Sequence, residues 1–284
     1  MPEFQTRDGT RLFYKDWGSG QPVVFVHTYV LNSDAWDYQM AFLTRHGLRC
    51  VAYDRRGHGR SDRPGRGYDF DTLADDLAAL LDHLDLADIT LVGHSMGAGE
   101  VARYLSRHGS ARVARVLLVA PITPFMLRTA DNPGGMNPAI RDLFAAAIEA
   151  DYPRALRQFA PGFWGEGEVV SAEMKDWGHG LALQTSLIAA QRLLQENWAT
   201  DFRPDLKAFD MPVLVIQGEH DQSTPLDKCG RPTAAAIPGA RLVIYDGGGH
   251  ALPLIAREKF NRDLLDFATD TRRLAAEGMQ SSAA

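Results

Sequence analysis

The chain is poor in cysteine: Cys50 and Cys229 are the two thiols among 284 residues, and neither sits in a metal-ligand spacing. Cys50 falls in an apolar strand-like stretch and reads as a buried thiol rather than half of a disulfide. Cationic charge is also in deficit, with 30 Lys and Arg against 36 Asp and Glu, a net charge of −6. That balance excludes a polyanion-binding surface as the main business of the molecule, so neither nucleic acid nor an anionic membrane is an expected partner. No apolar run approaches the length of a membrane span. The start, Met1-Pro2-Glu3-Phe4, lacks the basic region and apolar segment of a secretory leader, which predicts a cytoplasmic protein. Internal repeats and low-complexity tracts are missing too, and the tail from Ala275 to Ala284 is expected to fray.

What the sequence does hold is a series of short, continuous apolar runs. These are Pro22 to His27, Arg49 to Asp54, Ile89 to Gly93, Val113 to Ala120, Val213 to Gln217 and Leu242 to Tyr245. Runs without alternation mark strands buried on both faces, as in a parallel sheet. Before them, residues 4–7 and 11–17 flank Asp8-Gly9 and predict a β-hairpin. Between the runs lie helical patterns, the clearest being Leu73, Leu77, Leu80, Leu81 and Leu84 on one stripe, with Thr72 as its expected N-cap. The predicted class is therefore α/β, a mostly parallel sheet flanked by helices.

The interval 123–200 interrupts this rhythm. It carries Pro124, Pro133, Gly134-Gly135 and Pro138, then helical stretches rich in large apolar residues. It is too long for an ordinary connection and predicts a helical cap inserted into a core made of 1–122 and 201–284. The competing reading is a set of crossover helices.

Gly93-His94-Ser95-Met96-Gly97 lies between an apolar strand pattern and a helix-compatible stretch. In that context G-x-S-x-G predicts a strained strand-to-helix turn that presents the serine hydroxyl at the carboxyl edge of the sheet. A serine needs a base, and His250 follows the last strand and Asp246-Gly247-Gly248-Gly249, a loop able to swing across that edge. An imidazolium needs a carboxylate. Asp221 follows the strand ending at Gln217; Glu219 is its rival, and Asp221 is preferred because the loop must first clear the strand. The order Ser95, Asp221, His250 is a serine, acid, histidine order. Backbone N–H groups of Met96 and Tyr29 are the expected oxyanion donors. His27 and His94 are expected to brace loops, Asp54 to serve loop structure, and Arg55-Arg56 with Arg60 and Arg63 to be structural rather than a phosphate site.

Gly93 to Glu100, Tyr53 to Asp62 and Gly218 to Gln222 followed by Pro225 together resemble the bacterial arylesterase and cofactor-free haloperoxidase branch of the α/β-hydrolases. The resemblance spans nearly the whole chain. It implies the α/β-hydrolase fold, no cofactor or metal, a Ser95–Asp221–His250 triad, and Tyr29 and Met96 as oxyanion donors. It implies a serine esterase acting on small or medium carboxylic esters or lactones, or a perhydrolase that gives the acyl group to hydrogen peroxide. A ligand-binding protein that keeps the fold with little turnover is the reading from another class. Serine rather than aspartate at the elbow favours acyl transfer over alkyl attack. The chain departs from the branch at Thr28, where glycine is usual, and at Tyr29 and Val30, which predicts a changed path for that loop. Ser223-Thr224 stands where the branch has apolar residues, which predicts a polar pocket wall with Thr224 on the substrate. The predicted cap supplies the rest of the pocket, with Phe125, Met126, Phe144, Phe163, Trp164 and Trp198 as candidate lining. The expected partner is a small-molecule ester, with a homo-oligomer left open.

Overall fold

A computed structural model describes residues 1–165 and 170–270. The expectation for the Ala275–Ala284 tail lies outside the described residues. Eight strands form one sheet among them: β1 (Glu3–Gln5), β2 (Arg11–Trp17), β3 (Gln21–Val26), β4 (Leu48–Tyr53), β5 (Ile89–His94), β6 (Val113–Val119), β7 (Val213–Gly218) and β8 (Arg241–Tyr245). Their order is β1-β2-β4-β3-β5-β6-β7-β8. The first two strands form the predicted hairpin, and β2 runs antiparallel to β4; every later pairing is parallel. Gly9 turns the hairpin at φ 87°, and Asp8 accepts from both Thr6 Oγ1 and the Thr10 N–H.

The helices are α1 (Asp37–Thr44), α2 (Phe70–His83), α3 (Met96–His108), α4 (Pro138–Ala150), α5 (Tyr152–Trp164), α6 (Ala172–Ala182), α7 (Leu187–Ala199), α8 (Gly230–Ala236), α9 (Leu252–Ile255) and α10 (Arg257–Thr269). Alternate residues of β3 enter opposite layers. Val24 and Val26 join a core with Leu73, Leu77 and Leu80 of α2 and Val101 and Leu105 of α3. Val23 and Phe25 join another with Met40 and Leu43 of α1 and Phe260 and Leu264 of α10. Two covered faces explain why these strands read as unbroken apolar runs. Each fully buried leucine of α2 contributes about 1.5–3 kcal/mol to that packing.

One helix start is corrected. Asp69, not Thr72, caps α2, its carboxylate accepting from the Thr72 N–H at 2.8 Å. Both residue types cap well, and the aspartate three residues earlier takes the orphan donor first.

Connections from β3 diverge: the chain goes next to β4 on one side and later to β5 on the other. Such a reversal opens a crevice beyond the carboxyl ends of β3 and β5, the usual place for a site in an α/β sheet. Between the neighbouring strands β6 and β7, the chain runs through α4, α5, α6 and α7. No helix among the described residues is long and apolar enough to cross a membrane. Both cysteines are buried free thiols.

Candidate active site

Ser95 occupies the turn between β5 and α3 at φ 56° and ψ −112°, a backbone conformation that costs a non-glycine residue of order 1–3 kcal/mol. The flanking glycines make the turn sterically feasible. A Cβ on Gly93 would stand 2.7 Å from the Gly97 carbonyl oxygen, and one on Gly97 would stand 2.4 Å from that of Val26. Both approaches are to backbone, which has no rotamer with which to retreat. The sequence pattern is therefore a packing requirement of β3 against the start of α3.

Asp221 follows β7, and His250 follows β8. His250 Nδ1 donates to Asp221 Oδ2 at 2.7 Å, which fixes the tautomer and leaves Nε2 free to act as base. Burial alone would raise the Asp221 pKa, but the His250 charge, its hydrogen bond and those from Thr224 outweigh it and hold the carboxyl below its usual value. Its Oδ1 accepts the N–H groups of Ser223 and Thr224 at 2.8 and 2.9 Å, and its Oδ2 also accepts Gln217 Nε2 at 2.8 Å. Together with the Thr224 hydroxyl, these donors keep the carboxylate ionised inside the protein. Glu219, the rival acid, is turned elsewhere. Half exposed, it accepts the Gly247 N–H at 3.0 Å and braces the glycine loop.

The loops carrying these groups are tied to one another. His94 Nε2 donates to the carbonyl of His250 at 3.0 Å, linking the residue beside Ser95 to the histidine loop. Burial, then the neighbouring His250, drives the His94 pKa down to about 3, so this ring is a neutral donor. His27 Nδ1 donates to the Thr28 carbonyl at 2.8 Å, and its Nε2 accepts the Arg55 N–H at 3.1 Å. Asp54 accepts from Ser33 and Arg60. Arg55 is sealed against Glu100 at 2.6 Å, and Arg56 lies against Asp76 at 2.6 Å, so neither has a hand free for phosphate.

Tyr29 sits in the loop after β3. Neither its N–H nor that of Met96, the first residue of α3 after Ser95, is bonded to another group among the described residues. Replacing glycine with threonine at 28 does not place the strain there. Val30 carries it, at φ 55°, a position a β-branched residue rarely tolerates. Three contacts from residues 184–190 hold the loop in place. Tyr29 Oη donates to the Ala190 carbonyl at 2.5 Å, Thr185 Oγ1 donates to the Val30 carbonyl at 2.8 Å, and Asn32 Nδ2 donates to Gln184 Oε1 at 3.0 Å.

Ser95 and His250 open into a cavity of about 520 Å³ between the sheet edge and helices α4 to α7. Its wall includes Tyr29, Met126, Phe144, Phe163, Trp164, Trp198 and Thr224. Phe163 also stands edge-on to the His250 ring at 5.7 Å. Phe125 is not part of the wall; it is buried, with the Arg203 guanidinium over its ring at 5.4 Å. Both are loop residues, and no periodicity separates Phe125 from Met126, its neighbour, which does face the cavity.

Ser223 and Thr224 both stand in the cavity wall, and each hydroxyl also has a protein acceptor. Thr224 lines the cavity, but its hydroxyl lies 2.9 Å from Asp221 Oδ2 and 3.1 Å from the Ala120 carbonyl. Ser223 Oγ donates to the Gly162 carbonyl at 3.2 Å. Each hydroxyl has its proton committed to a protein acceptor, while its oxygen keeps the capacity to accept a hydrogen bond. Gln217 and Thr185 were missed altogether from sequence, since a strand-end glutamine and a loop threonine carry no pattern. Among the described residues no group of His, Cys, Asp or Glu is arranged to hold a metal ion.

Residues 21–255 match a family profile described as alpha/beta hydrolase fold. A non-heme chloroperoxidase of Kitasatospora aureofaciens is 43% identical, over 94% of this chain and 99% of that protein. A bifunctional esterase/perhydrolase of Acinetobacter calcoaceticus is 36% identical, over 92% and 97%. Among solved structures, a bromoperoxidase from Bacillus anthracis superposes with a TM-score of 0.91 at 34% identity, covering 95% of this chain and all (100%) of that one. An esterase from Exiguobacterium antarcticum superposes with a TM-score of 0.90 at 30% identity, covering 94% and 99%.

Proposed function

Because the chain belongs to the α/β-hydrolase fold family, we propose that it is a serine hydrolase that cleaves carboxylic esters through an acyl-enzyme. The observation that carries this reading is His250 bonded at 2.7 Å to an ionised Asp221, with His250 and the strained Ser95 on one cavity wall. The esterase and the bifunctional esterase/perhydrolase among its relatives support the same reading.

In this mechanism His250 Nε2 takes the proton of Ser95 Oγ as the oxygen attacks the ester carbonyl, and Asp221 stabilises the imidazolium. The N–H groups of Tyr29 and Met96 receive the developing oxyanion. His250 then gives its proton to the leaving alkoxide, and a water deprotonated by the same ring releases the acid. Residues 123–200 act as a cap whose apolar wall, Phe144 and Trp198 included, takes the hydrocarbon part of the substrate. Ser95→Ala should lower turnover of a p-nitrophenyl ester by at least about a thousandfold. Unchanged turnover would remove the reading.

A second reading concerns the acyl acceptor. The relatives named for haloperoxidase and perhydrolase activity favour hydrogen peroxide as an alternative to water on the same acyl-enzyme. Peracid formation from acetate and peroxide, measured beside ester hydrolysis, separates the two; peracid lost together with hydrolysis in Ser95→Ala places both on one serine.

A further inference from the structure

We propose that the cavity over Ser95 is built for an ester that carries a carboxylate, with Lys175 as the counter-charge; this rests on the reading of Ser95 as nucleophile. Helix α6 turns Lys175, Gly178, His179 and Ala182 to the cavity, the spacing of a single helical face. Lys175 is half-buried, and its ammonium has no hydrogen bond or ion pair among the described residues. The other lysines show how unusual this is. Lys15 is paired with Asp34 and Asp37, Lys228 donates to the Gly134 carbonyl, Lys259 is paired with Asp263, and Lys207 is exposed to water.

The neighbouring carboxylate on the helix does not serve it, because Asp176 engages Arg157 at 3.3 Å. Nor does the cavity supply one: among its described lining residues there is no Asp or Glu. In a protein of net charge −6, a cavity wall whose described residues hold a lysine and no Asp or Glu is a local inversion of the overall balance. A half-buried lysine on an apolar wall, with no partner among the described residues, leaves its charge uncompensated at the cavity. A ligand carboxylate compensates that charge, and Gln158 and His179 on the same wall add polar groups around it. The remainder of the wall, with Ile148, Leu194 and Trp198, suits a hydrocarbon segment rather than a second charge.

The test compares kcat/KM for two matched pairs of esters. Monomethyl adipate against methyl hexanoate puts the charge on the acyl side, and para-acetoxybenzoate against para-tolyl acetate puts it on the leaving side. At low salt the anionic member of at least one pair should be favoured by about tenfold, the worth of one charge-assisted hydrogen bond. Lys175→Met should bring that ratio close to one, Lys175→Arg should preserve it, and each variant's neutral-ester rate corrects for any loss of folded protein. Neutral esters preferred in both pairs, or a ratio that Lys175→Met leaves unchanged, would overturn the proposal while the hydrolase reading stands. Failure of all four esters to show Ser95-dependent turnover would overturn both.

Discussion

Thr185 Oγ1 donates a 2.8 Å hydrogen bond to the carbonyl of Val30, a β-branched residue held at φ 55°. The strained loop, whose Tyr29 N–H we propose as an oxyanion donor, is thus held from outside, by Thr185 in the connection between β6 and β7, and not by its own backbone preference. Thr185→Val should lower kcat by about tenfold with little change in KM, because the donor it positions acts mainly on the transition state. Tyr29→Phe should act in the same direction through loss of the bond to Ala190. Steady-state kinetics alongside thermal melts test this: a loss of kcat that tracks only the fall in Tm would mean the contacts merely stabilise.

Thr224 is a positioning residue for the acid. Its side chain is one of the groups that lower the Asp221 pKa. Thr224→Val should therefore reduce kcat by about tenfold and move the acid limb of the pH–rate profile upward, since the carboxylate loses a donor to its charged form. Thr224→Ser should restore the profile. A rise in KM alone, with the profile fixed, would return Thr224 to the substrate-binding role that its sequence position suggested.

The elbow glycines make a prediction about folding. Gly97→Ala drives a methyl group to 2.4 Å from the Val26 carbonyl oxygen, so β3 and α3 must separate. The expected cost is about 3 kcal/mol, measured by urea unfolding. Gly134→Ala, where nothing stands within 4 Å, is the matched control and should be nearly silent.

Much of this arrangement was legible in the sequence, for physical reasons that can be named. Val23 to Val26 read as a two-sided strand because opposite layers bury its alternate residues. Gly93 and Gly97 read as an elbow because no side chain fits there. Asp221 and His250 read as partners because parallel strands bring their carboxyl ends to one edge. What stayed hidden was the direction in which polar atoms point. Ser223 and Thr224 do line the cavity, and the sequence could not show that each hydroxyl also turns to a protein acceptor within 3.2 Å. Phe125 and Met126 are adjacent apolar residues of a loop, and no periodicity tells which one meets the cavity. Lys175 could not be singled out, because an unpaired cation is defined by the carboxylates that fail to reach it.

Buried histidines give the fold a pH signature. Burial, then the nearby Arg55, lowers the His58 pKa from 6.5 to about 3 in the folded protein. The unfolded chain takes up a proton as pH falls below 6.5 while the folded one does not until about 3, so this residue's contribution is to lose stability across that window. Between pH 7 and pH 5 the loss approaches about 2 kcal/mol for a single such group. Chemical unfolding of His58→Asn should therefore show a shallower decline over this range than the parent protein, and parallel declines would count against a neutral His58.

The helices α4 to α7 leave the sheet after β6 and return at β7, and these two strands are hydrogen-bonded neighbours. The pairing of β6 with β7 is therefore made strand to strand, without a hydrogen bond from the helices between them. This makes the junction a natural exchange point for grafting a different specificity onto the same catalytic edge. Such a graft must replace the three ties to the loop after β3, a hydroxyl for the Val30 carbonyl and acceptors for Tyr29 and Asn32. Without them, on the proposed mechanism, the chimera will bind well and turn over poorly.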